Sequence, residues 1–192
     1  MHRLAFAALF LLMSCSTTQG EEVEFPTYTS WASRPIGTTV TIRSKSVGPV
    51  RTVTSSITSK LLEVGPEKLV IENVRTSDAT GETQTSYPER LEIRRKFPLF
   101  PGVKKEDIGK PPKTAIATGT EVLDLAGRKI NAFWYDEKGS VEAGPTESRT
   151  WLSNDVPGRM VKSVIKVPIA NLTITRELVE FTEPKTEESK PK

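Results

Sequence analysis

Histidine and cysteine are almost missing from this chain of 192 residues. His2 is the only histidine and Cys15 the only cysteine. The rest of the chain therefore lacks the Ser-His-Asp and Cys-His arrangements of nucleophilic enzymes and the histidine and cysteine ligands of zinc sites. A single cysteine cannot form a disulfide within the chain. The sequence predicts a protein that is not an enzyme and that uses neither a metal nor another cofactor.

A concentrated basic surface is also missing. The chain has 27 Lys+Arg and 24 Asp+Glu, and its densest basic runs, Arg94–Lys96 and Lys104–Lys105, are short and interrupted. Proteins that bind nucleic acid usually carry clustered basic residues on one face. We therefore expect no nucleic acid among the partners of this protein.

The chain has little long hydrophobic sequence, and its apolar run Leu4–Met13 has a specific context. The run has only ten residues, whereas a membrane-spanning helix needs about 20. It follows a positively charged start and precedes the small Ser14, as in a cleaved signal peptide. The four residues Leu12–Cys15 resemble a bacterial lipobox, in which the cysteine is diacylated and becomes the new N-terminus. The alternative is an ordinary signal peptide with a chance cysteine.

The predicted anchor implies a location. Residues 1–14 would be a lipoprotein signal peptide, and Cys15 would carry a diacylglyceryl group and a fatty acid such as palmitate. Two acyl chains hold a protein firmly where one binds marginally, so the membrane becomes a partner through this anchor. Ser16 and Thr17 lack the aspartate that resembles an inner-membrane retention signal. In the bacterial cell envelope, this favours the periplasmic side of the outer membrane.

The remaining sequence divides into three parts. Residues 15–27 are polar and acidic and predict a lipidated cysteine followed by a flexible tether. Residues 28–182 are rich in threonine, valine and isoleucine with frequent turn residues, a pattern typical of β-strands. Residues 183–192 show no apolar periodicity and predict a disordered charged tail.

The predicted fold class is mainly β, with one curved antiparallel sheet or an open barrel of about 8–9 strands and little helix. The proline-rich segment Phe97–Thr114 cannot be a central strand, and it is either a surface crossover or a functional loop. Lys138-Gly139 is predicted to form a turn. The predicted strands are Gly37–Ser46, Val50–Val64, Lys68–Val74, Thr83–Phe97, Gly119–Leu125, Arg128–Asp136, Thr146–Leu152, Arg159–Val167 and Asn171–Phe181.

One part of the chain resembles known envelope proteins. The segment Gly119–Lys166 contains Tyr-Asp, then Trp-Leu-Ser, then Pro-Gly-Arg-Met-Val-Lys. With Trp31–Ser33 and Ile36–Thr38, it resembles a family of secreted bacterial lipoproteins and is distantly similar to the outer-membrane lipoprotein-sorting proteins. The resemblance implies a curved β-sheet that cradles acyl chains.

Five aromatic residues are candidates for a ligand or partner face: Trp31, Phe133, Trp134, Tyr135 and Trp151. Aromatic residues dominate ligand-binding concavities, but they also fill ordinary β-cores. Neighbouring residues of a strand face opposite sides of the sheet. Phe133 and Trp134 therefore cannot lie on the same face.

Three carboxylates, Asp136, Glu137 and Asp155, are candidates for acid–base chemistry. All three fall in predicted turns, where such side chains usually bond to the nearby backbone. A hydrolase would need at least two of them to converge in one cleft with raised pKa values.

Two functions remain open from the sequence. The first is a membrane-anchored lipoprotein whose non-enzymatic β-domain binds or scaffolds at the cell envelope, with an apolar ligand or an envelope protein as its partner. The second is an acyl-chain or lipoprotein carrier-like module with an apolar cavity in the curved sheet. Such a cavity would be lined by Val53, Leu91, Trp134 and Ile165, and a solid interior would argue against it.

Overall fold

The computed structural model describes residues 21–78 and 82–184. The predicted signal peptide, Cys15 and residues 185–192 of the predicted tail lie outside these ranges. The elements in chain order are β1 (Glu22–Glu24), α1 (Pro26–Ala32), β2 (Thr39–Val47), β3 (Thr52–Val64), β4 (Lys68–Ser77), β5 (Gln84–Thr85), β6 (Glu89–Arg94), β7 (Lys96–Pro98), a 3₁₀ turn (Lys105–Asp107), β8 (Ala117–Leu125), β9 (Arg128–Val141), β10 (Gly144–Leu152), β11 (Met160–Val167), a second 3₁₀ turn (Pro168–Ala170) and β12 (Leu172–Thr182).

Two antiparallel meanders join into one sheet of ten strands. The strand order is β5-β4-β3-β2-β12-β11-β10-β9-β8, and β6 continues the edge beside β4. The meanders meet where β12 pairs with β2. In the described parts of the chain the two outer edges do not pair with each other, so the sheet is not closed into a barrel. The predicted fold class, mainly β with little helix, is confirmed.

The hairpins follow from the local sequence. Ala126 and Gly127 both have positive φ, 52° and 68°, as the two-residue turn between twisted strands requires. The predicted strands Gly119–Leu125 and Arg128–Asp136 left these two residues between them, whereas the predicted turn at Lys138-Gly139 is wrong. β9 continues through both residues to Val141, and Glu142 and Ala143 make the turn into β10. The single predicted strand Thr83–Phe97 is divided among β5, β6 and β7.

The folded part begins earlier than predicted. Glu22–Glu24, assigned above to the tether, pairs as β1 with β7 in a separate two-stranded sheet. Helix α1 follows at once, with Pro26 in its first turn, where proline's missing N–H costs nothing. It buries Tyr28 and Trp31, which are three positions apart and so lie on one face of the helix.

The core gathers at one end of the sheet. Tyr28 and Trp31 of α1 pack in one cluster with Leu61, Leu69 and Ile93 of the first meander. Residues of the second meander, including Ile130, Trp151, Val161 and Leu178, belong to the same cluster.

Irregular pairing lets the two meanders share this core. Register shifts occur at Leu61/Glu63, Trp151/Leu152 and Leu178/Glu180, all at the core end. Bulges of this kind bend strands and increase their twist. There the tip of the β8–β9 hairpin reaches β12, and the Arg128 guanidinium lies 4.2 Å from the centre of the Phe181 ring.

The described residues contain no helix both long and apolar enough to cross a membrane.

Candidate functional site

The five predicted aromatic residues do not form one site. Trp134 of β9 and Trp151 of β10 are direct cross-strand partners and so share a face. Phe133 and Tyr135 flank Trp134 on β9 and point to the opposite face. Trp31 is buried in α1, with 3% of its surface exposed. We call the side of the sheet that carries Trp134 and Trp151 the tryptophan face.

Arg149 joins the two tryptophans on this face. Its guanidinium lies 4.1 Å from the centre of the Trp134 ring and 5.7 Å from that of Trp151. It also donates two hydrogen bonds, of 2.6 and 2.7 Å, to the carboxylate oxygens of Asp136, its direct cross-strand partner. Such paired bonds between arginine and carboxylate are among the stronger polar contacts in proteins. The cluster therefore combines a forked ion pair with aromatic stacking.

The charges next to this cluster are also paired. Trp151 Nε1 donates a 2.8 Å hydrogen bond to Glu121 Oε2. Lys162 lies 5.7 Å from the Trp151 ring centre and 3.3 Å from Glu177. A concavity of about 390 Å³ opens beside Arg149 and is also lined by Ile116, Lys138, Glu147, Val164 and Lys166.

Asp136 is the ion-pair partner of Arg149. The hydrogen bonds from Arg149 hold the pKa of the Asp136 carboxyl below its ordinary value, despite the opposing effect of burial. The same contact raises the pKa of Arg149. A general acid needs the opposite shift of its carboxyl pKa, towards neutrality.

The three candidate carboxylates do not converge. Contrary to the sequence prediction, Asp136 and Glu137 lie inside β9 rather than in a turn. As neighbours they face opposite sides of the sheet, and Glu137 accepts a 2.7 Å hydrogen bond from Thr114 Oγ1. Asp155 does lie in a turn, between β10 and β11. In the residues that the structure describes, no group of three potential metal ligands comes together.

The opposite side of the sheet has a different composition, which sequence reasoning missed. Direct cross-strand pairing aligns one residue from each of eight strands in a row that we call the hydroxyl row. Seven members are hydroxyl residues and one is arginine: Ser77, Ser55, Ser44, Arg176, Ser163, Thr150, Tyr135 and Thr118. We call this side the serine face. The only local signal was the alternation of serine and threonine in Val50–Val64.

An aliphatic row runs beside the hydroxyl row. The pairs Val53–Ser46, Ser46–Ile174, Ile174–Ile165 and Ile165–Ser148 connect five strands. All five residues of this row are half-buried. At about 4.8 Å between strands, this row spans about 19 Å.

Three of the four residues predicted to line a cavity share the serine face. Val53 and Ile165 belong to the aliphatic row, and Leu91 pairs with Ile71 on the same side. Trp134 is on the tryptophan face. One cavity within the sheet therefore cannot contain all four residues.

No protein-family model matches the chain, and no curated protein matches it by sequence. Several solved structures are similar to it over most of its length. A protein described as exported, with a YmcC-like fold, from Bacteroides fragilis has 10% identity and a TM-score of 0.46, over 84% of this chain and 99% of its own. The Mycobacterium tuberculosis lipoprotein LppX has 12% identity and a TM-score of 0.38, over 84% and 98%.

A domain assigned to outer-membrane lipoprotein sorting from Vibrio parahaemolyticus has 8% identity and a TM-score of 0.27, over 86% of this chain and 94% of its own. The distant resemblance that the sequence indicated agrees with these matches. At such identities and TM-scores the similarity concerns the arrangement of strands alone.

Proposed function

We propose that this chain is a lipid-anchored, non-enzymatic binding protein of the bacterial cell envelope, and that the serine face is its binding face. The supporting observation is a contrast in charge between the two sides of the central strands β2, β3, β11 and β12. On the serine face of these strands, alternation places only one charged residue, Arg176. The segments compared are Val40–Ser46, Val53–Leu61, Ser163–Val167 and Leu172–Leu178.

The tryptophan face of the same strands is strongly charged. It carries Arg43, Lys45, Lys60, Lys162, Lys166 and Glu177. A sheet face in free contact with water normally carries such polar and charged side chains, while the other side packs against something. The half-buried aliphatic and hydroxyl side chains of the serine face fit a surface that a ligand or partner covers.

The second candidate function is an acyl-chain carrier, and the aliphatic row favours it. Val53, Ile174 and Ile165 form an apolar strip, in which they lie within about 14 Å of one another across four strands, β3 to β11. Small Ser46 and Ser148 complete the strip without adding a charge. An extended acyl chain could lie along this strip.

The binding face can be tested with two aspartates on adjacent residues. Ile174→Asp places a charge on the serine face, and Thr175→Asp places the same charge on the tryptophan face of the same strand. The two proteins are compared by native mass spectrometry after gentle extraction from membranes. We expect Ile174→Asp to lose the bound molecule and Thr175→Asp to keep it. A co-purifying lipid supports the carrier function, and a co-purifying protein supports binding of an envelope partner.

The proposed face would be contradicted if Ile174→Asp and Thr175→Asp retained the bound molecule equally. It would also be contradicted if the unmodified chain carried no bound molecule and crosslinking gave the same protein partners in both variants.

The anchor needs its own test. Labelling cells with a fatty acid should mark the chain, and Cys15→Ser should abolish the label. Ser16→Ala is the matched control, because it changes the neighbouring hydroxyl and leaves the thiol. A label that persists in Cys15→Ser argues against lipidation at this residue.

A further inference from the structure

Arg176 occupies the middle of the hydroxyl row. Its direct cross-strand partners are Ser44 on β2 and Ser163 on β11. Directly opposed residues of antiparallel strands have their Cα atoms about 4.5–5.5 Å apart. Two hydroxyl side chains therefore flank the base of the arginine side chain.

The surroundings of Arg176 on this face contain no opposite charge. Two positions away on its own strand are Ile174 and Leu178. The diagonal neighbours on the adjoining strands are also uncharged: Ser46, Ile42, Ile165 and Val161. Among the residues that the structure describes, no carboxylate forms an ion pair with Arg176, although ion pairs form elsewhere in the sheet. Arginine keeps its charge at every physiological pH.

Ser163 adds an independent observation. It is 5% exposed, and its Oγ has no hydrogen-bond partner in the described structure. A buried hydroxyl without a partner costs free energy. It lies beside Arg176 on the same face, so a single bound oxygen anion could reach both groups.

We propose that Arg176, flanked by Ser44 and Ser163, binds the anionic head of a single-chain amphiphile whose tail lies along the aliphatic row. Guanidinium groups hold carboxylate or phosphate oxygens with two parallel hydrogen bonds, and serine hydroxyls can donate further bonds. This inference rests on the proposed function and adds the charge and the orientation of the ligand. The head would lie over β12, and the tail would extend from Ile174 along one arm of the row, towards Val53 or towards Ile165.

The test compares oleate with methyl oleate, which has the same tail and no charge. Binding of each to the full chain is measured by native mass spectrometry in one uncharged maltoside detergent. We expect Arg176→Gln to weaken oleate binding about tenfold, to the level of methyl oleate. Arg43→Gln is the matched control: it removes a charge from the neighbouring strand on the tryptophan face and should leave oleate binding unchanged.

Ser163→Ala separates a ligand contact from a structural role. Because its Oγ has no partner in the described structure, the substitution should leave the midpoint of thermal unfolding unchanged or raise it slightly. Oleate binding should fall about threefold, as the loss of one hydrogen bond predicts. A drop in thermal stability without a change in oleate binding would contradict the proposed contact.

The remaining outcomes are distinct. Equal binding of oleate and methyl oleate, or equal effects of Arg176→Gln and Arg43→Gln, would overturn the head-group site and leave the binding face standing. Binding of inorganic phosphate with the affinity of oleate would identify a free-anion site and overturn the amphiphile. If neither lipid binds, this inference and the carrier function both fail, while the comparison of Ile174→Asp with Thr175→Asp still tests the binding of an envelope protein.

Discussion

The indole of Trp134 lies directly against Gly119 on the neighbouring strand. The two residues are cross-strand partners, and a β-carbon on Gly119 would lie 2.6 Å from Cζ2 of the ring. The absence of a side chain at Gly119 is thus what allows the Trp134 ring to lie this close to β8, with the Arg149 guanidinium 4.1 Å from the ring centre.

Gly119→Ala should therefore destabilise the protein. A methyl group forced against a packed ring costs about 1–3 kcal/mol, and we expect the midpoint of urea unfolding to fall accordingly. Gly139→Ala in β9 is the control, because its β-carbon would meet only the rotatable hydroxyl of Thr146, at 3.1 Å. If both alanines have the same effect, the fit between Gly119 and Trp134 does not limit stability.

The Arg149–Asp136 pair should show measurable coupling. A double-mutant cycle with Arg149→Met and Asp136→Asn is expected to give about 1 kcal/mol, near the upper end for partly exposed pairs, since 41% of the Arg149 side chain is exposed. Arg149→Lys should not restore the coupling, because lysine cannot make both bonds and stack on the rings. The more exposed Lys68–Glu92 pair is the reference cycle and should give less. If the coupling energy of Arg149 and Asp136 is no larger than that of the reference pair, the two parallel hydrogen bonds add nothing to stability.

The same pair predicts a dependence of stability on pH. Because Arg149 lowers the pKa of Asp136 in the folded protein, the carboxylate stabilises the fold at pH values above its unfolded pKa of about 3.9. That contribution is lost as pH falls through the folded pKa. The difference in melting temperature between the unmodified protein and Asp136→Asn should be constant from about pH 5 to 8 and shrink below about pH 4. Calorimetry across this range would contradict the prediction if the difference persisted at about pH 2.

Arg159 should hold the crossover between β7 and β8 in place. It is 9% exposed, donates a 2.7 Å hydrogen bond to the Gly109 carbonyl and bonds Asn154 Oδ1 at 3.1 Å. Burial lowers the pKa of its guanidinium. Removing a buried charged donor leaves its acceptors unpaired, so Arg159→Leu should loosen the crossover. We expect trypsin to cut at Lys104 or Lys105 several times faster.

Arg128→Leu is the matched control for this experiment. Arg159 lies 5.6 Å from the centre of the Phe133 ring, and Arg128 likewise lies over an aromatic ring, that of Phe181. In the described residues the Arg128 side chain makes no hydrogen bond to the crossover. Equal cleavage rates in Arg159→Leu and Arg128→Leu would mean that Arg159 does not hold the crossover in place.

Strand alternation predicted the β class and the opposite orientation of Phe133 and Trp134, because both depend only on a period of two residues. The contact between Trp134 and Trp151 depends instead on register. A two-residue turn at Lys138-Gly139 would have paired Trp134 with Ala143, whereas the actual turn pairs it with Trp151. Glycine usually favours turns, but Gly139 lies within the strand, where it pairs with Thr146.

The hydroxyl row could not be predicted from the sequence. Its members come from eight strands, and seven separate pairings bring them into line. An isolated serine in a strand carries no sign of which residues will oppose it. The single arginine in that row becomes visible only when β12 is known to lie between β2 and β11.

The small sheet of β1 and β7 determines where mechanical load first acts. A pull on the chain ahead of Glu21 meets three residue pairs, Glu22–Pro98, Val23–Phe97 and Glu24–Lys96, before it meets α1. Short, locally stabilised segments open at lower free energy than the rest of a fold. Tension from the N-terminal side would therefore separate β1 from β7 while the ten-stranded sheet stays folded. The β1–β7 pair would then yield first and limit the force that reaches the rest of the domain.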